Sequence, residues 1–66
     1  MTEKQKLFCE EYLIDLNATQ AALRAGYSEK TAYSIGNENL KKPEIQEYIQ
    51  KRLKEKEDAL IAKQDE

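Results

Sequence analysis

The run Asn17-Ala-Thr-Gln-Ala-Ala-Leu-Arg-Ala-Gly-Tyr-Ser28 constrains this chain's fold more than any other stretch. Asn17 is an N-cap residue whose side chain can accept from orphan amides, so a helix is expected from Ala18, with Gln20 in the capping-box position. Ala18, Ala21, Ala22 and Ala25 make that helix strong in propensity and thin in cross-section. Gly26 ends it near Ala25, because glycine enters the left-handed region without a Cβ clash. Tyr27 fills the turn, and Ser28 is again an N-cap, which predicts a second helix from about Glu29 to Asn37. Two short helices joined by a tight turn, with small residues where they cross, form a helix-turn-helix, a device that sets its second helix in the DNA major groove.

The residue pattern tests this reading position by position. Counted from Ala18, the slots such a motif turns inward hold Ala21, Ala22, Ala25, Tyr27, Ala32 and Ile35, and the turn slot holds Gly26. The outward slots hold Ser28, Glu29, Lys30, Tyr33, Ser34 and Asn37, with Thr31 at the margin. Asn suits adenine, Ser and Thr suit several bases, and Lys suits guanine or phosphate. Lys30 stands in the first turn, where a cation opposes the helix dipole. A nearby phosphate would favour it there, and a solvated lysine is the plain alternative. Glu29 suits the dipole and reads as a cap. Tyr33 is read either as a stacking or methyl-contacting group or as a half-buried amphipathic side chain. Thr19 and Gln20, at the start of the first motif helix, lie where free amides bind phosphate. Arg24, Lys41 and Lys42 are candidate phosphate clamps.

The flanking segments supply the support. Thr2-Glu-Lys-Gln5 has the form of a capping box, and a helix over about 3–15 follows. Phe8, Tyr12 and Leu16 recur at every fourth position, with Cys9 and Leu13 beside them, as one apolar stripe. Glu10, Glu11 and Asp15 fall off that stripe and are expected to face water. Gly36 costs about 1 kcal/mol against alanine in a helix interior, so either the helix loosens there or another backbone comes close. Pro43 suits the first position of a fourth helix, about 43–57, since its missing N–H would be an orphan anyway. Ile45, Ile49 and Leu53, with Tyr48, pack it onto the rest. Residues 54–66 are read as a charged helical extension or a frayed tail. The fold class is all-α: a small helix-turn-helix domain of four helices, at about 3–15, 18–25, 29–37 and 43–57.

Sixty-six residues make one small domain, read as 1–53, and no apolar run is long enough to span a membrane. Neither a signal peptide nor a zinc finger fits a chain with no apolar N-terminal segment, no histidine and one cysteine. Cys9 reads as a small buried hydrophobe, in keeping with a reducing cytoplasm. No histidine base, acidic cluster in a cleft or Gly-rich phosphate loop points to an enzyme, a metal or a cofactor. The chain carries −2 overall, yet residues 17–42 are net +2 and both flanks net −2.

The run from Asn17 to Ser28, with Lys30-Thr-Ala32, Ile35-Gly36 and Asn39-Leu-Lys-Lys-Pro-Glu-Ile45, resembles the N-terminal domain of bacteriophage terminase small subunits. Gln5, Phe8, Glu11-Tyr12-Leu13 and Asn17 are similar to that family as well, so the resemblance covers roughly 3–53. It implies recognition of a packaging site on double-stranded viral DNA in the bacterial host cytoplasm. The DNA is then delivered to a large subunit that holds the ATPase and nuclease. It makes Gly26 the turn, 29–37 the recognition helix, and Lys30, Thr31, Tyr33, Ser34 and Asn37 candidate contacts. Family members usually continue into an oligomerising region that builds a ring, so this chain reads as an excised domain or a short member, monomeric by itself. Two other readings stay open: a fragment of a transcriptional regulator, and a protein-interaction module using the fourth helix.

Overall fold

A computed structural model describes residues 1–64, with side chains through residue 56. The order is α1 (Glu3–Asp15), α2 (Ala18–Arg24), α3 (Glu29–Lys41) and α4 (Pro43–Gln64), with no strand among the described residues. The all-α expectation is met.

Each start has a local cause. Thr2 Oγ1 accepts from the Gln5 amide at 3.1 Å while the Gln5 side chain accepts from the Thr2 amide at 3.0 Å, closing the capping box of α1. Asn17 Oδ1 accepts from the Gln20 amide at 3.1 Å to cap α2. Ser28 occupies the N-cap of α3 with extended backbone, but its hydroxyl makes no cap bond and pairs instead with the Thr31 hydroxyl at 2.9 Å.

Two element ends differ from the sequence expectation. α3 does not stop at Asn37 but runs to Lys41, the last residue that Pro43 permits. Steric conflict with the proline ring pushes the residue before it out of the α region, and Lys42 accordingly sits at φ −76°, ψ 128°. α4 continues past residue 57 to Gln64, so the part of the 54–66 extension through 64 is helical. Residues 65–66 lie outside the described residues.

The core joins Phe8, Cys9 and Leu13 of α1 to Ala21, Ala22 and Ala25 at α2, Ala32 of α3, and Ile45 and Ile49 of α4. Phe8 and Tyr12 rings stack with centroids 6.0 Å apart. Burial pushes the Cys9 thiol up to about 11, as expected of a thiol used for packing. Leu16 departs from the predicted stripe. It takes the left-handed conformation (φ 56°) that closes α1, its amide donating to the Tyr12 carbonyl at 2.7 Å, and its side chain is 58% exposed. Leu53 is likewise on the surface.

The acidic face of α1 is not simply solvated. Arg24 of α2 donates through Nε to Glu11 Oε1 at 2.7 Å and through Nη2 to Asp15 Oδ1 at 3.1 Å. Glu10 accepts from the Tyr48 hydroxyl and pairs with Arg52 at 3.5 Å, tying α1 to α4. Tyr48 is raised above its ordinary range first by that bond to the Glu10 carboxylate.

Candidate nucleic-acid interface

The turn between α2 and α3 is a Schellman closure. The Tyr27 amide donates to the Ala22 carbonyl at 3.0 Å and the Gly26 amide to the Leu23 carbonyl at 3.1 Å, satisfying two orphan carbonyls of α2. That geometry requires positive φ at residue 26, and Gly26 sits at +102°. Tyr27 then packs back against the core.

α2 packs on α3 more extensively than any other helix pair. The inward slots behave as a contact between thin helices requires: Ala21, Ala22 and Ala32 are fully buried, Ala25 is buried, and Ile35 is half-buried. The choice left open at Gly36 is decided in favour of backbone approach. A Cβ there would meet the Ala18 carbonyl oxygen at 2.8 Å and its carbon at 3.1 Å. Gly36 is itself buried in an unbroken helix. Asn39 completes the buried face, and its Nδ2 has no partner among the described residues.

The opposite face of α3 stands clear of the rest of the domain. Ser28, Glu29, Lys30, Thr31, Tyr33, Ser34, Asn37 and Lys41 are all exposed, as is Lys42 just beyond. Lys30, Tyr33, Ser34, Asn37 and Lys41 follow the spacing of one helical stripe. Tyr33 is 68% exposed, so of its two readings the half-buried one does not apply. Thr19 is half-buried and Gln20 exposed on the first turn of α2, where the Gln20 amide is already taken by Asn17. The structure thus brings the α3 residues onto one surface and leaves Thr19 and Gln20 on a different helix.

Arg24, a candidate phosphate clamp by sequence, is occupied. Its guanidinium is held by Glu11 and Asp15, which also raises its proton affinity. The basic groups on or beside α3 with no carboxylate at ion-pair distance among the described residues are Lys30, Lys41 and Lys42. A further lysine arrives from outside the motif. The Lys4 ammonium of α1 lies over the Tyr27 ring, 5.1 Å from its centroid. Nothing in the spacing of residues 4 and 27 announces that contact.

The Arg24 bonds hold the Asp15 carboxyl below the usual carboxylate range. A depressed folded-state value means the pair stabilises the fold above the ordinary carboxylate value, near 4, and ceases to do so as pH falls through the lower folded-state value. Arg24→Met keeps much of the stem and removes the charge. Its thermal midpoint is expected to lie below that of the parent at pH 6, with the gap narrowing as both are taken below pH 4. A gap that stays constant between pH 6 and pH 2.5 would exclude the ion pair as its cause.

No metal-binding cluster of carboxylates or cysteine occurs among the described residues, and none of their helices is long and apolar enough to cross a membrane. A family model described as terminase small subunit matches residues 1–66. The terminase small subunit of Bacillus phage SF6 is 55% identical over 56 residues, 83% of this chain and 39% of that protein. That of Staphylococcus phage 80alpha is 45% identical over 56 residues, 83% of this chain and 38% of that protein. The PBSX phage terminase small subunit of Bacillus subtilis (strain 168) is 40% identical over 55 residues, 83% of this chain and 21% of that protein. The chain spans well under half the length of these curated relatives. With four helices among its described residues and a match along its whole length, the chain belongs to the terminase small subunit family.

Proposed function

We propose that residues 1–53 are the DNA-binding domain of a phage genome-packaging small subunit, with α3 as the helix that enters the major groove. The carrying observation is the division of α3 into two faces. Ala32, Gly36 and Asn39 are buried, while Ser28, Lys30, Thr31, Tyr33, Ser34 and Asn37 are exposed and not covered by α4. Asn37 and Ser34 supply base-edge partners, Tyr33 an apolar plane, and Lys30, Lys41 and Lys42 contacts to phosphate. Residues 54–66 lead toward the region through which the whole protein assembles into a ring. There it presents the packaging site to the large subunit in the host cytoplasm. The domain performs no catalysis, and the ATPase and nuclease belong to the large subunit.

The electrostatics agree with a module used in many copies. Three or four phosphate contacts on a chain of net charge −2 give affinities on the order of 10⁻⁴–10⁻⁶ M. Several domains on one ring multiply that without new contacts. Titration of the labelled chain with a short duplex tests the assignment. Amide shifts should centre on 28–37 and 41–42 and weaken with salt. Lys30→Ala should lower affinity several-fold at low salt and flatten the salt dependence by about one phosphate contact. Shifts confined to 45–56 on adding a protein partner, with none from DNA, would favour a protein-interaction role for α4.

A further inference from the structure

We propose that Lys4, on α1 and outside the helix-turn-helix, is a phosphate-contacting residue that fixes the register of α3 on DNA. This rests on the DNA-binding reading above. Lys4 is carried to the motif by packing. Its aliphatic stem passes close to the turn, with Cε 3.5 Å from where a Gly26 Cβ would stand, and its ammonium lies over Tyr27. Tyr27 immediately precedes the start of α3, so Lys4 delivers a positive charge to the N-terminal end of the proposed reading helix.

Three observations separate Lys4 from an ordinary solvated lysine. It is exposed, and no carboxylate lies at ion-pair distance from it among the described residues. It occupies the first turn of α1, where the helix dipole opposes a cation. Its Cε lies beside the turn and its ammonium over the tyrosine ring, so less freedom is lost on contact with an anion.

The placement also completes a pattern. α3 is about 20 Å long, and Lys41 and Lys42 mark its C-terminal end. A helix lying in the groove meets a phosphate ridge on either side, and contacts to both ridges set its position while base contacts supply selectivity. Lys41 and Lys42 serve one end, and Lys4 joins Lys30 at the other.

The competing account is that Lys4 merely buttresses Tyr27 through its cation–π contact. Salt dependence separates the two, because a buttress releases no counterions. Binding of a fluorescein-labelled 20-base-pair duplex would be measured by anisotropy between 50 and 200 mM KCl, for the parent, Lys4→Gln, Lys4→Arg and Lys30→Ala. Lys4→Gln should reduce the slope of log affinity against log salt by about 0.9 and weaken binding about tenfold at 50 mM. The loss should be equal on two unrelated duplex sequences, and Lys4→Arg should restore both slope and affinity. A thermal midpoint for each variant shows that the domain is folded. If Lys30→Ala lowers the slope and Lys4→Gln does not, Lys4 is a buttress and the proposal fails while the reading of α3 stands. If the parent binds neither duplex, both fall together.

Discussion

Phe8→Ala is expected to remove a large share of the domain's stability and lower its urea midpoint steeply at 25 °C. Phe8 is fully buried and is the largest such side chain. It stacks on Tyr12 and belongs to the cluster that joins α1 to the other three helices. Truncating a buried phenylalanine costs about 3–5 kcal/mol through lost transfer free energy and the cavity left behind. A chain of 66 residues has a total stability of about 3–10 kcal/mol. The loss therefore amounts to between about a third of what holds the fold and all of it. Urea denaturation followed by helical circular dichroism checks this, with Leu7→Ala as control. Leu7 is 44% exposed on the same helix and should move stability by no more than about 0.5 kcal/mol. A Phe8→Ala variant within about 1 kcal/mol of the parent would mean that the core is organised elsewhere.

Much of this architecture can be read from residue chemistry alone, and the reason is that its boundaries are local. Thr2 and Asn17 cap two helix starts through neighbouring amides, Ser28 marks a third by its extended backbone, Gly26 marks the turn, and Pro43 opens α4. The errors arise where distant contacts decide. Leu16 continued an apolar repeat, yet chain reversal after Asp15 twists it into the left-handed region and out of the core. Gly36 is a poor helix former, and the sequence alone ends α3 near Asn37. Burial of Gly36 and Asn39 against the rest of the domain overrides propensity for another turn. Glu11, Asp15 and Arg24 lie on two helices, and their pairing depends on the crossing of α1 and α2, which no spacing rule gives. The candidate surface was legible for a complementary reason. Helical periodicity separates the exposed stripe of α3 from its buried one, whatever the neighbours are. Lys4 was not, because its place beside Tyr27 follows from packing between α1 and the turn.

Gly36 offers the sharper test, because two physical rules predict opposite signs for the same substitution. Helix propensity alone makes Gly36→Ala stabilising by about 0.8–1 kcal/mol in an α-helix interior. The structure makes it destabilising. The added methyl would stand 2.8 Å from the Ala18 carbonyl oxygen and 3.2 Å from the Ala18 Cβ. The oxygen belongs to backbone, so no rotamer change removes the conflict, and α2 and α3 must separate. Overpacking of this kind costs about 1–3 kcal/mol against a propensity gain of about 0.8–1 kcal/mol, so the expected net is a loss of up to about 2 kcal/mol. Gly36→Val adds three carbons with a β-branch in the same confined space and should abolish cooperative unfolding altogether. Ala18→Gly provides the complementary check. It removes the Cβ that faces Gly36 but leaves the carbonyl in place, so it should relieve little of the Gly36→Ala penalty. Where Gly36→Ala remains folded, duplex affinity should fall although residue 36 is buried. The α2–α3 spacing sets how far Tyr33, Ser34 and Asn37 project beyond the domain, and a shift near 1 Å is enough to disturb paired hydrogen bonds to base edges. An alanine variant that is more stable than the parent would show that the helices do not approach as closely as Gly36 and Ala18 are placed.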